Sequence, residues 1–145
     1  VAASIPLHTF LARATSLVGR DAPAALAAMR RHLGHRIVAI AVDRDRAHLR
    51  AGDGPLPVVT PGASPGAIHV DAATTRPSLR ALVRGTSTLE ESVLSDAVGL
   101  QGALGDVLAL HDAFLDFARG AARSRGFAEL LDAFLDDTPV KEEDT

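Results

Sequence analysis

The chain has 145 residues, 47% of them hydrophobic and 23% charged, with no cysteine and a net charge of −3. That length suits one domain able to bury about 70% of the surface its unfolded form exposes. No apolar run is longer than that from Ile37 to Val42, far below the roughly 20 residues of a membrane-spanning helix, and the lack of cysteine excludes disulfide scaffolds, thiolate zinc sites and cysteine nucleophiles.

The charge is unevenly placed. Residues 136–145 carry five acids and one lysine, which leaves fourteen arginines against thirteen acids in the body. With no Trp, no Tyr and five Phe, a nearly neutral body offers neither the basic field nor the stacking rings that nucleic acid requires, so nucleic acid is not an expected partner. Val1 to Ile5 show neither the charged region nor the apolar stretch of a secretory signal, and the expectation is a cytoplasmic chain.

Leu7, Phe10, Leu11, Ala14, Leu17 and Val18 recur at steps of three and four, predicting a helix over 7–18 that Gly19 ends. Asp21 is placed to cap a second helix over 21–34, with Pro23 in its first turn, a stripe of Ala25, Leu26, Met29 and Leu33, and Gly34 as its stop. Ile37 to Val42 is apolar on both parities, as in a central strand. After the turn Asp43 to Arg46, Ala47, Leu49 and Ala51 alternate with His48 and Arg50, predicting a strand with one wet face. The turn Gly52 to Pro55 leads to an edge strand, Leu56 to Thr60, marked by Pro57. Ala67 to Asp71 alternates Ile68 and Val70 with His69 and Asp71, predicting a fourth strand.

The period then changes. Pro77 opens a short helix carrying Leu79, Leu82 and Val83 and closed by Gly85; Ser87 and Glu90 have the spacing of a capping box for another helix through Leu94. Ala97 to Gly102 alternates as a fifth strand with Val98 and Leu100 on one face. A long helix over 103–119 is expected to bury Leu104, Val107, Leu108, Phe114, Leu115 and Ala118 and to turn Asp112, Asp116 and Arg119 to solvent. A last helix uses Phe127, Leu130, Leu131, Phe134 and Leu135, and residues 137–145 read as an acidic, disordered tail. The domain is placed at 1–136, with its sheet and remaining helices over 36–136.

The succession Ala67-Ile68-His69-Val70-Asp71, Leu79-Arg80-Ala81-Leu82-Val83-Arg84-Gly85, Thr88-Leu89-Glu90-Glu91 and Val98-Gly99-Leu100-Gln101-Gly102 resembles the sterol carrier protein 2 domain family over about Arg36 to Arg119. The resemblance implies an α+β fold, a five-stranded, mostly antiparallel sheet covered by helices, with an apolar cavity that holds fatty acyl chains, sterols or other lipids. Here two helices come first, Ala103 follows Gly102 where the family often has an acid, and Glu142 to Thr145 is not a peroxisomal signal, which fits a bacterial-type, stand-alone relative. Such domains also form parts of larger enzymes, so the fold does not by itself decide function.

Gly62-Ala63-Ser64-Pro65-Gly66 matches the G-x-S-x-G spacing of a nucleophile elbow. Pro65 lacks the N–H that the oxyanion hole would use and no helix follows the serine, so the segment reads as a loop. His111 falls within the apolar arc of the long helix and is the candidate polar anchor or general acid–base, any partner having to come from elsewhere in the fold. His32 and His35 are separated by a helix stop at Gly34, His48 and His69 sit on strand faces expected to be wet, and Asp43, Asp45 and Asp53 are turn residues; no metal is expected. Arg119, Arg123 and Arg125 suit the carboxyl end of the long helix, or a clamp for an anionic head group.

The first reading is a small protein that encloses a hydrophobic molecule without a cofactor. Its candidate wall is Leu82, Val98, Leu100, Val107, Leu108, His111, Phe114, Leu115, Phe127 and Phe134, with Arg123 at the polar end. The alternatives are an enzyme or accessory protein acting on a hydrophobic biosynthetic intermediate in the same cavity, and an interaction module whose first two helices cover a second copy or a larger partner protein.

Overall fold

Two prolines delimit the first helices. The computed structural model describes residues 5–62, 66–84 and 86–135, with the side chains of all but Val83, Arg84 and Leu89; Gly85, residues 63–65 of the glycine–proline loop and the acidic tail lie outside that set. Pro6 is extended and precedes α1 (Leu7–Asp21), whose first amide donates to the Asp45 carboxylate at 2.7 Å. Gly19 does not end this helix. Its bare Cα lets Leu56 and Leu26 approach to 3.0 and 3.2 Å of where a Cβ would stand, and the break comes three residues later at Ala22, which Pro23 drives out of the helical region. Pro23 then opens α2 (Pro23–Leu33), and Gly34, at φ 58°, closes it.

Asp21 consequently belongs to the last turn of α1 and caps nothing in α2. It takes two hydrogen bonds from the Arg20 guanidinium and one from the backbone N–H of Arg125, contacts that hold its carboxyl down at about 2.

The strands are β1 (Val38–Val42), β2 (Asp45–Arg50), β3 (Val58–Pro61), β4 (Val70–Thr74) and β5 (Gly99–Gly102), in the order β3-β2-β1-β4-β5. Three of the four pairings are antiparallel; β1 and β4 run parallel, with Val38 opposite Val70 and Val42 opposite Thr74. The β1–β2 turn is Asp43-Arg44 alone, with Asp43 at φ 55°. The fourth strand starts later than its alternation suggests: pairing with β1 begins at Val70, and Ile68 is left exposed before it.

Helices α3 (Arg76–Arg84) and α4 (Leu89–Leu94) join β4 to β5. The capping box that starts α4 is Thr88 with Glu91, one residue beyond Ser87 and Glu90: the Thr88 hydroxyl accepts from the Glu91 amide at 3.0 Å and the Glu91 carboxylate from the Thr88 amide at 2.8 Å. The long helix α5 (Leu104–Ala122) and α6 (Phe127–Leu135) complete the α+β fold. The core lies between one sheet face and the helices. Phe10 of α1 stacks on Phe134 of α6 with ring centroids 4.5 Å apart, and Val38, Val42, Leu49 and Val70 rise from the sheet beneath Leu7, Leu26 and Leu33. The apolar stripes of α1 and α2 are thus consumed in the chain's own core.

The buried side of α5 is rotated from the expected one. Leu104 is 74% and Leu108 53% exposed, and Leu115 is exposed as well, whereas Ala113, Gly120 and Ala121 are buried. The cause is α2. At Gly120 a Cβ would lie 2.6 Å from Val18 and 2.9 Å from Ala25, so the helices cross in close contact there. On the same side Asp106 accepts from Arg36 Nε at 2.7 Å and Asp116 pairs with His32 Nδ1 at 2.5 Å. Asp116 therefore faces α2 and not open solvent.

Candidate functional site

Alternation along the strands sends Ile40, Val42, Leu49, Ala72, Thr74 and Leu100 to the helix-bearing face of the sheet. Above them, α1 contributes Leu7, Phe10, Leu11 and Thr15, α2 Met29 and Leu33, α3 Leu79 and Leu82, and α5 a line from Leu110 through Ala113, Phe114 and Phe117 to Ala121. Phe127 and Leu131 of α6 close one side. Between these walls lies a hollow of about 280 Å³ whose surface is almost wholly carbon. Two of its lining residues, Ala118 and Ala122 of α5, are exposed.

Among the described residues that line the hollow, none is charged, and only Thr15 and Thr74 carry hydroxyls. The Thr15 hydroxyl donates to the Ala12 carbonyl at 3.0 Å and that of Thr74 to the Ala97 carbonyl at 2.9 Å. Both protons are committed to the backbone.

The structure brings Leu82, Val98, Leu100, Phe114 and Phe127 of the sequence-derived wall together around this space. The other members stand elsewhere. Phe134 is fully buried in the α1–α6 core, with the Arg76 guanidinium 4.7 Å from its ring centre. Val107 is half-buried and packs against the core, Leu108 and Leu115 lie on the exposed side of α5, and Arg123 is exposed beyond its end. His111, with 24% of its side chain exposed, stands outside the hollow: its Nε2 is 3.4 Å from Glu90 of α4 and its Nδ1 3.6 Å from Asp112. Its nearest acid on another element is Glu90, while Asp112, expected to point away, also comes within reach.

Two further histidines depart from expectation. His48 is only 7% exposed, on the sheet face away from the helices, with Nδ1 3.2 Å from the Gly62 carbonyl. His69 uses Nδ1 to accept the Ile37 amide at 3.0 Å. His32 is taken by Asp116, and among the described residues no group of three or more His, Asp or Glu side chains is placed to hold a metal ion.

Sequence reasoning missed the roof of the hollow, namely Leu7, Phe10, Leu11 and Thr15 of α1, Met29 and Leu33 of α2, and Leu110, Ala113, Phe117 and Ala121 of α5. The stripes of α1 and α2 were visible, but nothing in their spacing says what they face. For α5 the signal was Ala113, Gly120 and Ala121, small residues that permit close helix approach.

No protein-family model and no curated protein sequence matches the chain. Solved structures do. A ubiquinone synthesis protein described as UbiJ-SCP2 is 20% identical, covers 79% of this chain and 96% of its own, and superposes with a TM-score of 0.56. The sterol carrier protein domain 2 of Helicoverpa armigera is 14% identical over 77% of this chain and 87% of its own, with a TM-score of 0.55. Sterol carrier protein 2 like 2 from Aedes aegypti is 16% identical over 73% and 94%, with a TM-score of 0.51. The chain has the sterol carrier protein 2 fold, with two N-terminal helices preceding the sheet. Among the described residues no helix is long and apolar enough to cross a membrane.

Proposed function

We propose that this chain binds the hydrocarbon part of a lipid-like molecule in the hollow between sheet and helices. The observation that carries the reading is the lining itself, a carbon-walled space of about 280 Å³ with no charged side chain among its described residues, in a fold whose solved examples include sterol carrier proteins. Each methylene that moves from water into this space is worth about 0.8 kcal/mol in gross terms. Affinity for a series of alkyl chains therefore rises about fourfold per added carbon until the hollow is full, then levels off. Displacement of a fluorescent fatty-acid analogue by chains of six to sixteen carbons tests this. A flat series, or no saturable uptake of the analogue, removes the reading.

A second reading has its own support. One structural neighbour is described as a ubiquinone synthesis protein, which favours a biosynthetic intermediate with an apolar tail as the bound molecule, held while other enzymes modify its head. The mass of a co-purifying lipid separates this from a storage or transfer role for simple acyl chains.

A further inference from the structure

The side of α5 turned away from α2 carries an apolar seam. Leu104, Leu108, His111, Leu115, Ala118 and Ala122 recur at steps of four and three, the a and d spacing by which one helix packs along another. The five apolar members are all exposed, and His111 keeps 24% of its side chain open to water. The seam runs the length of the 19-residue helix, about 28 Å at 1.5 Å per residue. Small residues on the opposite side, Ala113, Gly120 and Ala121, already hold α5 to the chain's own core. A contiguous apolar face of this kind marks a site of interaction more often than it stays open to water.

The order of sizes along the seam points to its occupant. Counted outwards from Ala113, the six positions are symmetric in spacing, with the large residues towards one end and the small ones towards the other. A second copy of α5 laid antiparallel sets Leu104 against the partner's Ala122, Leu108 against the partner's Ala118 and His111 against the partner's Leu115. Each leucine then faces an alanine or the one imidazole, so large and small side chains interdigitate in every layer. A parallel copy would instead stack leucine on leucine at one end and alanine on alanine at the other, and could not keep the two axes evenly spaced. We infer that two copies of this chain pair through α5 about a two-fold axis beside Ala113, an arrangement in which one patch is its own complement. The polar His111 in the central layers fixes the register. The seam is flanked by exposed charges of both signs, Asp112 and Arg119, and not by the run of basic residues that suits a helix to an anionic lipid surface. Area sets the strength: a strip about 28 Å long and about 10 Å wide falls short of the about 800 Å² that each partner of a standard interface buries. The dimer is therefore weak and reversible, with Kd of about 10–100 µM. Because Ala118 and Ala122 also line the hollow, the partner's Leu108 and the partner's Leu104 come to lie over its exposed lining positions. The pairing itself does not depend on what the hollow holds.

Sedimentation equilibrium of the full chain over about 1–500 µM tests the pairing. The expected result is a weight-average mass that rises from 15.1 kDa towards twice that value as concentration increases. Leu108→Glu and Leu104→Glu, each checked for an unchanged far-ultraviolet spectrum, weaken the association at least about tenfold, because each would bury a carboxylate against an alanine of the partner. The chain has no cysteine of its own, so oxidative cross-linking reads the register directly. A mixture of Leu108→Cys and Ala118→Cys chains is expected to give more disulfide-linked dimer than either variant alone, since the antiparallel layer brings those two positions together. The inference is overturned if the mass stays at 15.1 kDa throughout, or if both glutamate variants associate as the parent does. It is equally overturned if each single-cysteine chain cross-links with itself as readily as the mixture does, which would mean a different register. A chain that stays monomeric but sediments with phosphatidylglycerol vesicles, and loses that on Leu108→Glu, overturns it in favour of a lipid surface.

Discussion

Filling the hollow from the sheet side sets two effects against each other. Ala72 lies in β4, opposite Ile40 of β1 and Leu100 of β5, and points into the space. Ala72→Leu adds three methyl- or methylene-sized groups, about 90 Å³ at about 30 Å³ each, within an available volume of about 280 Å³. In the unliganded protein these groups pass from water to an apolar wall, a gain of about 2.4 kcal/mol. About 0.5–1 kcal/mol of leucine rotamer entropy offsets it, so the net rise in stability is about 1.5 kcal/mol. A bound chain loses room for about three carbons, and its affinity falls by about 2.4 kcal/mol, close to sixtyfold. Urea unfolding and displacement of a fluorescent fatty-acid analogue measure the two quantities on the same preparation. Overpacking of a filled core would instead cost about 1–3 kcal/mol, so a fall in stability refutes the hollow. A rise in stability with unchanged affinity refutes its role as the binding site.

Other substitutions probe how the walls are held. Gly120→Ala would stabilise an exposed helix by up to about 1 kcal/mol, but here the new Cβ meets Val18 at 2.6 Å and Ala25 at 2.9 Å. The expected result is a net destabilisation of about 1 kcal/mol, read from the urea midpoint. Asp45→Ala removes the acceptor of the first α1 amide and is expected to cost about 0.5–2 kcal/mol, as loss of a side-chain cap does. Asp21 has its folded pKa lowered to about 2, first by the Arg20 hydrogen bonds and then by the Arg125 amide. Its contribution is present above the unfolded value and is lost as pH falls towards 2. Asp21→Asn therefore flattens the acid limb of stability between about pH 4 and 2, and an unchanged limb in melts over that range contradicts the contact.

The fold was largely legible because its signals are local. The helix stop at Gly34, the alternation of Ala47, Leu49 and Ala51, and the capping-box spacing before α4, read at Ser87 and Glu90 and found one residue later at Thr88 and Glu91, each declare an element within a few residues. Errors of one to three residues came where tertiary contact competes with the local signal: α1 runs on through Gly19, whose bare Cα lets Leu26 and Leu56 pack closely, and β4 begins at Val70, where its pairing with β1 starts. The site was less legible. Helix α5 is apolar around much of its circumference, and Asp116, read with Asp112 and Arg119 as marking the solvent side, is bonded to His32 of α2. Treating such acids as exposed turns the helix and moves Leu108, His111 and Leu115 into the cavity on paper. Phe134 shows the converse limit: an aromatic at helical spacing is equally suited to wall or core, and only its stacking on Phe10 decides.

If an apolar molecule occupies the space beneath α5 as proposed, native mass spectrometry of the freshly purified full chain will detect it, with extraction of whatever denaturation releases. The expected result is a non-covalent adduct bearing a long uncharged tail, absent after denaturation and diminished in Ala72→Leu. A single unliganded mass, unchanged after incubation with dodecanoate or its methyl ester, would contradict it.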